Sequence, residues 1–235
     1  MTNTQTNIFI TGATGYIGGS VLARLINRPD AASLNIVALV RSSEKAAKLK
    51  EIGVNVVVGS HSDSALVEKL ASAREVDVSG TGVLANNFAV GEYATETIYD
   101  DNEPAQIETL DPAQPHRNVD LELVNADKQG YVKIYIIFPS TIYGIASGKL
   151  VDLGIQNPYS VQIPALIDAS LDRGASGMVG KGKNIWPNVH IDDVADLYII
   201  LYDWIKTNPE TGHGREGFYF GENGEHTLYD VGKAV

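Results

Sequence analysis

The chain has 235 residues, a formal net charge of −11 at pH 7, no cysteine and 44% hydrophobic residues. That length and apolar content bury one substantial core, with room for a small second lobe. The acidity argues against a nucleic-acid or anionic-membrane surface, and the missing thiols exclude disulfides and thiolate chemistry. No apolar run approaches the roughly 18 residues of a membrane span. Met1 to Thr6 do not read as a signal peptide, and a cytoplasmic location is the default expectation.

The first legible unit is Ile8-Phe-Ile-Thr-Gly-Ala-Thr-Gly-Tyr-Ile-Gly-Gly19. An apolar run enters a glycine-rich turn, and Ile17, Val21, Leu22 and Leu25 follow at helical spacing. Glycines at 12, 15 and 18 let the chain turn sharply and let backbone N–H groups approach a pyrophosphate. The start of the helix adds N–H donors and a positive dipole end, which suit an anion. Thr11, Gly12, Thr14, Gly15, Tyr16, Ile17 and Gly18 are therefore the candidate cofactor contacts.

The string Thr11-Gly-Ala-Thr-Gly-Tyr-Ile-Gly18 resembles the extended and atypical short-chain dehydrogenase/reductases, including NmrA-like and epimerase/dehydratase-like members. Later matches extend that resemblance over nearly the whole chain. It implies a Rossmann-type, doubly wound parallel α/β sheet with a small C-terminal substrate lobe. Residues 1–150 would form the dinucleotide-binding domain. Residues 151–235 would form mainly the substrate lobe, with late elements returning to the sheet.

In chain order, Asn35–Val40 reads as a buried second strand, Ser43–Glu51 as a helix opening on a serine cap, and Val54–Val58 as a third strand. A loop over Gly59–Asp63 leads to a helix over Ser64–Ala73. Strands alternating with helices imply a parallel sheet. Val76-Asp-Val78 begins a fourth strand, yet Ser79-Gly-Thr-Gly-Val83 follows at once, a segment that resembles the end of the family's fifth strand. A strand–helix–strand unit needs roughly 30 residues or more. Either the sheet lacks a central helix and strand, or the residues between 78 and 79 are skipped; the second is favoured, because deleting the middle of a parallel sheet exposes strand edges and core.

Ala85–Pro115 reads as a long polar loop with short helical pieces. Arg117–Lys128 reads as a helix with Val119 (or Leu121), Leu123 and Val124 facing inward, and Tyr131–Phe138 as a strand that Pro139–Gly144 leaves as a loop. Ile163–Asp172 reads as a helix, followed by a short strand around Val189–Ile191. Asp192 and Asp193 then open an amphipathic helix with Val194, Leu197, Tyr198, Leu201, Trp204 and Ile205 on one face. Gly217–Phe220 is a late strand, and a last helix begins near Leu228. Members of the resembled family usually continue further.

Arg41 follows the second strand about 20 residues after the glycine turn, where an acid would hold the ribose 2′-OH of NAD and an arginine accommodates a 2′-phosphate. This favours NADP(H) over NAD(H), with Ser42 and Lys45 as helpers. Ser79 and Thr81 lie where the resembled family keeps its catalytic hydroxyl, and the registration between them is open. Such a hydroxyl donates to a substrate oxygen as charge develops. The family's Tyr-x-x-x-Lys proton-transfer pair is absent before Tyr131. His116 and Arg117 lie near its lysine position and cannot simply be assigned its role. Tyr202–Lys206 and Tyr229–Lys233 match the pattern literally, but lie on late helices in a chain with 11 tyrosines.

Pro139–Gly144 resembles the loop that contacts the nicotinamide end of the cofactor, which makes Ser140 a cofactor candidate and Tyr143 a catalytic one. His190 and Asp193 resemble a structural hallmark near the substrate lobe. The remaining histidines have no ligand spacing, so no metal is expected. Nor is there a Gly-x-Ser-x-Gly elbow. The expected partner is a small-molecule substrate, with a homodimer as an option. The expected activity is hydride transfer between NADP(H) and a small carbonyl or alcohol. The alternatives are an NmrA-like NADP(H) sensor without catalysis, or an NAD-dependent sugar-nucleotide epimerase or dehydratase.

Overall fold

The computed structural model describes residues 5–70, 74–85 and 89–235. Outside them lie residues 1–4, the predicted end of the third helix at 71–73, and residues 86–88 of the polar loop. In chain order the elements are β1 (Thr6–Ile10), α1 (Tyr16–Ile26), β2 (Leu34–Val40), α2 (Ser43–Glu51), β3 (Asn55–Val58) and α3 (Ser64–Leu70). Then come β4 (Arg74–Val78), α4 (Pro104–Glu108), α5 (Arg117–Lys128), β5 (Lys133–Pro139), β6 (Thr141–Tyr143) and α6 (Lys149–Asp152). The last are α7 (Gln162–Arg173), β7 (Ile185–His190), α8 (Ile191–Thr207), β8 (Phe218–Gly221), β9 (Glu225–Thr227) and α9 (Leu228–Ala234).

These elements group into two compact units. The first comprises the chain through Ala73, with Gly144–Tyr159 and Ile191–Thr207. Its parallel sheet has the order β1-β2-β3, with Ile8 opposite Ile36 and Val40 opposite Val58. Parallel strands need a crossover, and α1 and α2 supply it. Val21, Leu22 and Leu25 of α1 join Leu34, Ile36 and Ala38 of β2 in one buried cluster.

Helix α8 closes this unit against α1. Arg24 of α1 donates to Asp192 at 2.7 Å and Asp196 at 3.0 Å, and Arg28 donates to both oxygens of Asp203 at 2.8 and 2.9 Å. Of the predicted apolar face of α8, Val194, Leu201 and Ile205 are buried. Trp204 is 58% exposed and points outward. The helix turns it away from the stripe that Ala195 and Ile191 complete.

The second unit comprises Arg74–Tyr143, Ser160–His190 and Asn208–Val235. Its parallel sheet runs β4-β5-β8, with Val76 opposite Tyr135 and Ile136 opposite Phe218. Ile134, Ile136 and Phe138 of β5 are fully buried, and the Phe138 ring stacks on Phe220 at 5.6 Å. Strand β4 passes directly into Ser79 and a 3-10 turn over Thr81–Leu84, and among the described residues the strands form two three-stranded parallel sheets. The alternation of strand and helix is the expected α/β one.

Three local expectations change. Val119 is 50% exposed and Leu121 37%, flanking a stripe of α5 on which Arg117 and Asp120 are buried; Leu123 and Val124 pack inward as predicted. Thr141–Tyr143 is a strand rather than a loop, because β7 offers it a parallel partner, Tyr143 opposite His190. That third sheet is completed by β9, antiparallel to β7. The predicted strand around Val189–Ile191 is displaced toward the N-terminus, since Ile191 already opens α8.

Candidate functional site

In the first unit, the turn between β1 and α1 is held by backbone contacts. Gly12 adopts φ +66°, in the left-handed region that favours glycine, and Gly15 N–H donates to Gly12 O at 2.8 Å. A Cβ on Gly18 would lie 2.4 Å from Gly12 O, so only glycine lets the helix pack this closely on the turn. Beside Gly12 a Cβ would meet nothing within 4 Å. Thr11 and Gly12 are exposed, and Thr14, Gly15, Ile17 and Gly18 are partly buried. No side chain caps α1, and no acid occupies its first turn. An exposed, left-handed glycine before an uncapped helix N-terminus fits a pyrophosphate.

The segment after Tyr143 braces this turn. Asn157 N–H donates to Thr14 O at 3.0 Å, and the buried Gln156 donates to Tyr16 O at 3.2 Å and Ser20 Oγ at 2.8 Å. Tyr16 is itself buried and donates its hydroxyl to Gly144 O at 2.7 Å. Burial, helped by the charge of Asp192, pushes its pKa up to about 12, so the phenol stays neutral and anchors the turn. Sequence reasoning missed Gln156, because a lone glutamine in a loop carries no periodic signal.

Arg41, at the end of β2, is exposed, and its guanidinium has no partner among the described residues. Ser42 caps α2 by accepting from Lys45 N–H at 3.3 Å, which sets Lys45 on the first turn beside it. These three residues, predicted to meet a 2′-phosphate, therefore cluster at the end of one strand.

In the second unit, Ser79 leaves β4 on the same side of the strand as Asp77, by the alternation of side chains. The first turn of α5 packs there. Ser79 Oγ sits beside Asp120 and favours its charged form. The contact falls short of hydrogen-bond geometry, and Ser79 Oγ and both Asp120 oxygens are buried without a partner. Arg117 Nε and Nη1 are likewise buried and unpaired. Burial pushes the Asp120 carboxyl up, against the opposing pull of Ser79, Arg117 and His116. It pushes the Arg117 guanidinium down, against Asp120 and Glu108. Buried, unsatisfied and electrostatically perturbed groups of this kind concentrate at functional sites.

Thr81 has another commitment. It is buried, and its hydroxyl donates to Pro139 O at 3.5 Å, a long bond. Of the two hydroxyls left open by sequence, Ser79 is thus the unpartnered one. Ser140 is buried, donates to Gly221 O at 2.9 Å, and ties the end of β5 to β8. Tyr143 is 41% exposed, with its ring edge-on to His190 at 5.2 Å. The two literal Tyr-x-x-x-Lys matches are packing pairs, with Lys206 5.1 Å from the centre of the Tyr202 ring and Lys233 5.5 Å from that of Tyr229. Among the described residues no group of His, Asp and Glu is arranged to hold a metal, and no helix is long and apolar enough to cross a membrane.

Asp77 is pushed up to about 6, first by burial and then by Glu75 and Asp120. A raised folded-state pKa means that its stabilising contribution is present below the ordinary carboxylate range and is lost as pH rises through about 6. Asp77→Asn should therefore gain stability relative to the parent as pH rises from about 4.5 to about 7.5. Denaturant midpoints of both proteins across that range check this. A constant difference would contradict the burial of the charge.

Residues 4–99 match the NmrA-like family. The chain is 26% identical to the oxidase ucsJ of an Acremonium species, over 97% of this chain and 77% of that protein. That alignment runs to 284 positions, so the relative carries additional residues inside the matched span. The chain is 28% identical to the uncharacterized protein YLL056C of Saccharomyces cerevisiae, over 85% of this chain and 72% of that one. In fold it is similar to the UDP-glucuronic acid 4-epimerase of Bacillus cereus, solved with UDP-glucuronic acid and NAD (TM-score 0.59, 14% identity, 96% of this chain and 80% of that one). It is similar also to the dTDP-glucose 4,6-dehydratase DesIV of Streptomyces venezuelae, solved with NAD (TM-score 0.62, 17% identity, 96% and 79%).

Proposed function

We propose that this chain, which matches the NmrA-like family over residues 4–99 and is similar in fold to an epimerase and a dehydratase solved with NAD, is an NADP(H)-dependent oxidoreductase acting on a small carbonyl or alcohol. The observation that carries this reading is the glycine turn, closed by the contact of Gly18 on Gly12 and open beside Gly12. It is followed by a strand that ends in a cation, Arg41, rather than an acid. Thr11 to Gly18 would hold the pyrophosphate through backbone N–H groups. Arg41, Ser42 and Lys45 would hold the 2′-phosphate. When bound, the nicotinamide supplies or accepts hydride. The chain's own contribution is a hydroxyl donor, Ser79, for the substrate oxygen.

The cofactor half is tested at Arg41. Arg41→Glu is expected to weaken NADPH binding about tenfold or more, since a charge-assisted hydrogen bond to phosphate contributes about 1.5–3 kcal/mol. NADH should be affected much less. Fluorescence titrations with both cofactors give the two dissociation constants, and equal weakening would remove Arg41 from cofactor choice. The catalytic half is tested by NADPH oxidation against a panel of aldehydes, ketones and imines. Tight NADPH binding with no oxidation across the panel would favour a cofactor-sensing role instead.

A further inference from the structure

We infer that His116 and Asp120, one helical turn apart at the start of α5, form the proton-transfer pair of this protein. His116 would be the proton donor to the substrate oxygen and Asp120 its positioning residue. The inference rests on the oxidoreductase reading above; His116-x-x-x-Asp120 has the spacing of the absent Tyr-x-x-x-Lys and begins near its lysine position.

Geometry brings the pair to the Ser79 loop. His116 is the residue before α5 and has φ +68°, a left-handed conformation uncommon for a residue with a side chain. Its side chain makes no capping hydrogen bond. The ring instead lies against the loop: a Cβ on Gly80 would be 3.6 Å from His116 Nε2, and one on Gly82 3.9 Å from Cδ2. Gly80 and Gly82 thus leave room for an imidazole over the backbone between Ser79 and Val83. His116 is exposed and open to exchange with solvent, whereas Asp120 is fully buried beneath it. The far end of α5 is pinned, since Asp127 accepts from Ile134 N–H at 2.7 Å and lies 2.8 Å from His213 Nδ1. The strained first turn is therefore held by the rest of the unit.

The charges around the pair are mixed. His116 and Arg117 favour the Asp120 carboxylate, and Asp77 of β4 opposes it. Glu108 of α4 is engaged by Arg215 at 2.6 and 2.9 Å, which leaves Arg117 facing Asp120. A protonated imidazole over this loop can pass its proton to a substrate oxygen on which negative charge grows. In carbonyl reduction, hydride and its electron pair add to the carbonyl carbon. The π pair moves to oxygen, and the Nε2 proton of the imidazolium passes to that oxygen. NADPH is oxidised to NADP⁺, the carbonyl is reduced to the alcohol, and solvent returns a proton to the neutral imidazole.

The test combines His116→Ala, Asp120→Asn and Asp120→Glu in the full chain. His116→Ala is expected to lower kcat about 10²-fold with the NADPH dissociation constant unchanged, and added imidazole should restore at least part of the rate. Asp120→Asn should lower kcat, with Asp120→Glu recovering toward the parent. Independently of turnover, the ring ¹⁵N resonances of His116 in cofactor-free protein should move in Asp120→Asn and Ser79→Ala, and Asp120→Glu serves if the asparagine variant does not fold. A parent-like kcat in His116→Ala overturns the inference while the oxidoreductase reading stands. If the parent binds NADPH but reduces nothing, that reading fails, and silent His116 resonances in the Asp120 variants would overturn the pairing itself.

Discussion

Ser79→Ala is expected to lower turnover of a carbonyl substrate by about 10²–10³-fold while NADPH affinity stays nearly unchanged. The reason is differential binding. A neutral carbonyl oxygen gains little from one more donor, whereas an oxygen acquiring negative charge gains much, so the loss falls on kcat rather than on binding. Ser79 is suited to this because its hydroxyl makes no well-formed hydrogen bond in the protein, so only its contact with Asp120 is given up when it turns to a substrate. Thr81→Ala removes a hydroxyl already spent on Pro139 O and should cost far less than Ser79→Ala. Side-by-side steady-state kinetics on the two variants decide the registration that spacing alone left open. A larger loss in Thr81→Ala would move the donor to Thr81 and sink the assignment to Ser79.

What was legible in the sequence follows from which signals are local. The strand–turn–helix over residues 6–26 announces itself through apolar spacing and glycines, and Ser42 through its place before α2. The bounds of α5 were legible too, but its inward face was not. Periodicity assigns apolar residues to the core, and here Arg117 and Asp120 take that place while Val119 and Leu121 face out. Buried charged residues are invisible to a hydrophobic pattern, so periodicity alone does not mark Arg117 and Asp120 as part of the inward face. The spacing His116-x-x-x-Asp120 was present to be found, but a search for tyrosine and lysine passes over it. Long-range partners were hidden for another reason. Gln156 reaches Tyr16 across 140 positions and β6 needs β7 to become a strand, and no window of sequence contains both partners.

Gly18→Ala should abolish tight cofactor binding, with NADPH affinity falling by about 10²-fold or more and thermal stability falling with it. The added Cβ would stand 2.4 Å from Gly12 O and 2.7 Å from Gly12 C. These are backbone atoms, which cannot swing aside as a side chain can. Overpacking typically costs about 1–3 kcal/mol, and relief here requires α1 to withdraw from the very turn that presents its N–H groups. Gly12→Ala offers the contrast. Its Cβ meets nothing within 4 Å, but φ is +66°, so the cost is conformational, about 1–2 kcal/mol for a left-handed residue with a side chain. Its side chain would also occupy the open space assigned to the pyrophosphate. Gly12→Ala should therefore lose NADPH affinity while keeping most of its thermal stability, whereas Gly18→Ala should lose both. Calorimetry and cofactor titration on the two variants separate these outcomes. A Gly18→Ala protein that melts and binds NADPH like the parent would show that the turn is not closed by this contact and that the cofactor is held elsewhere.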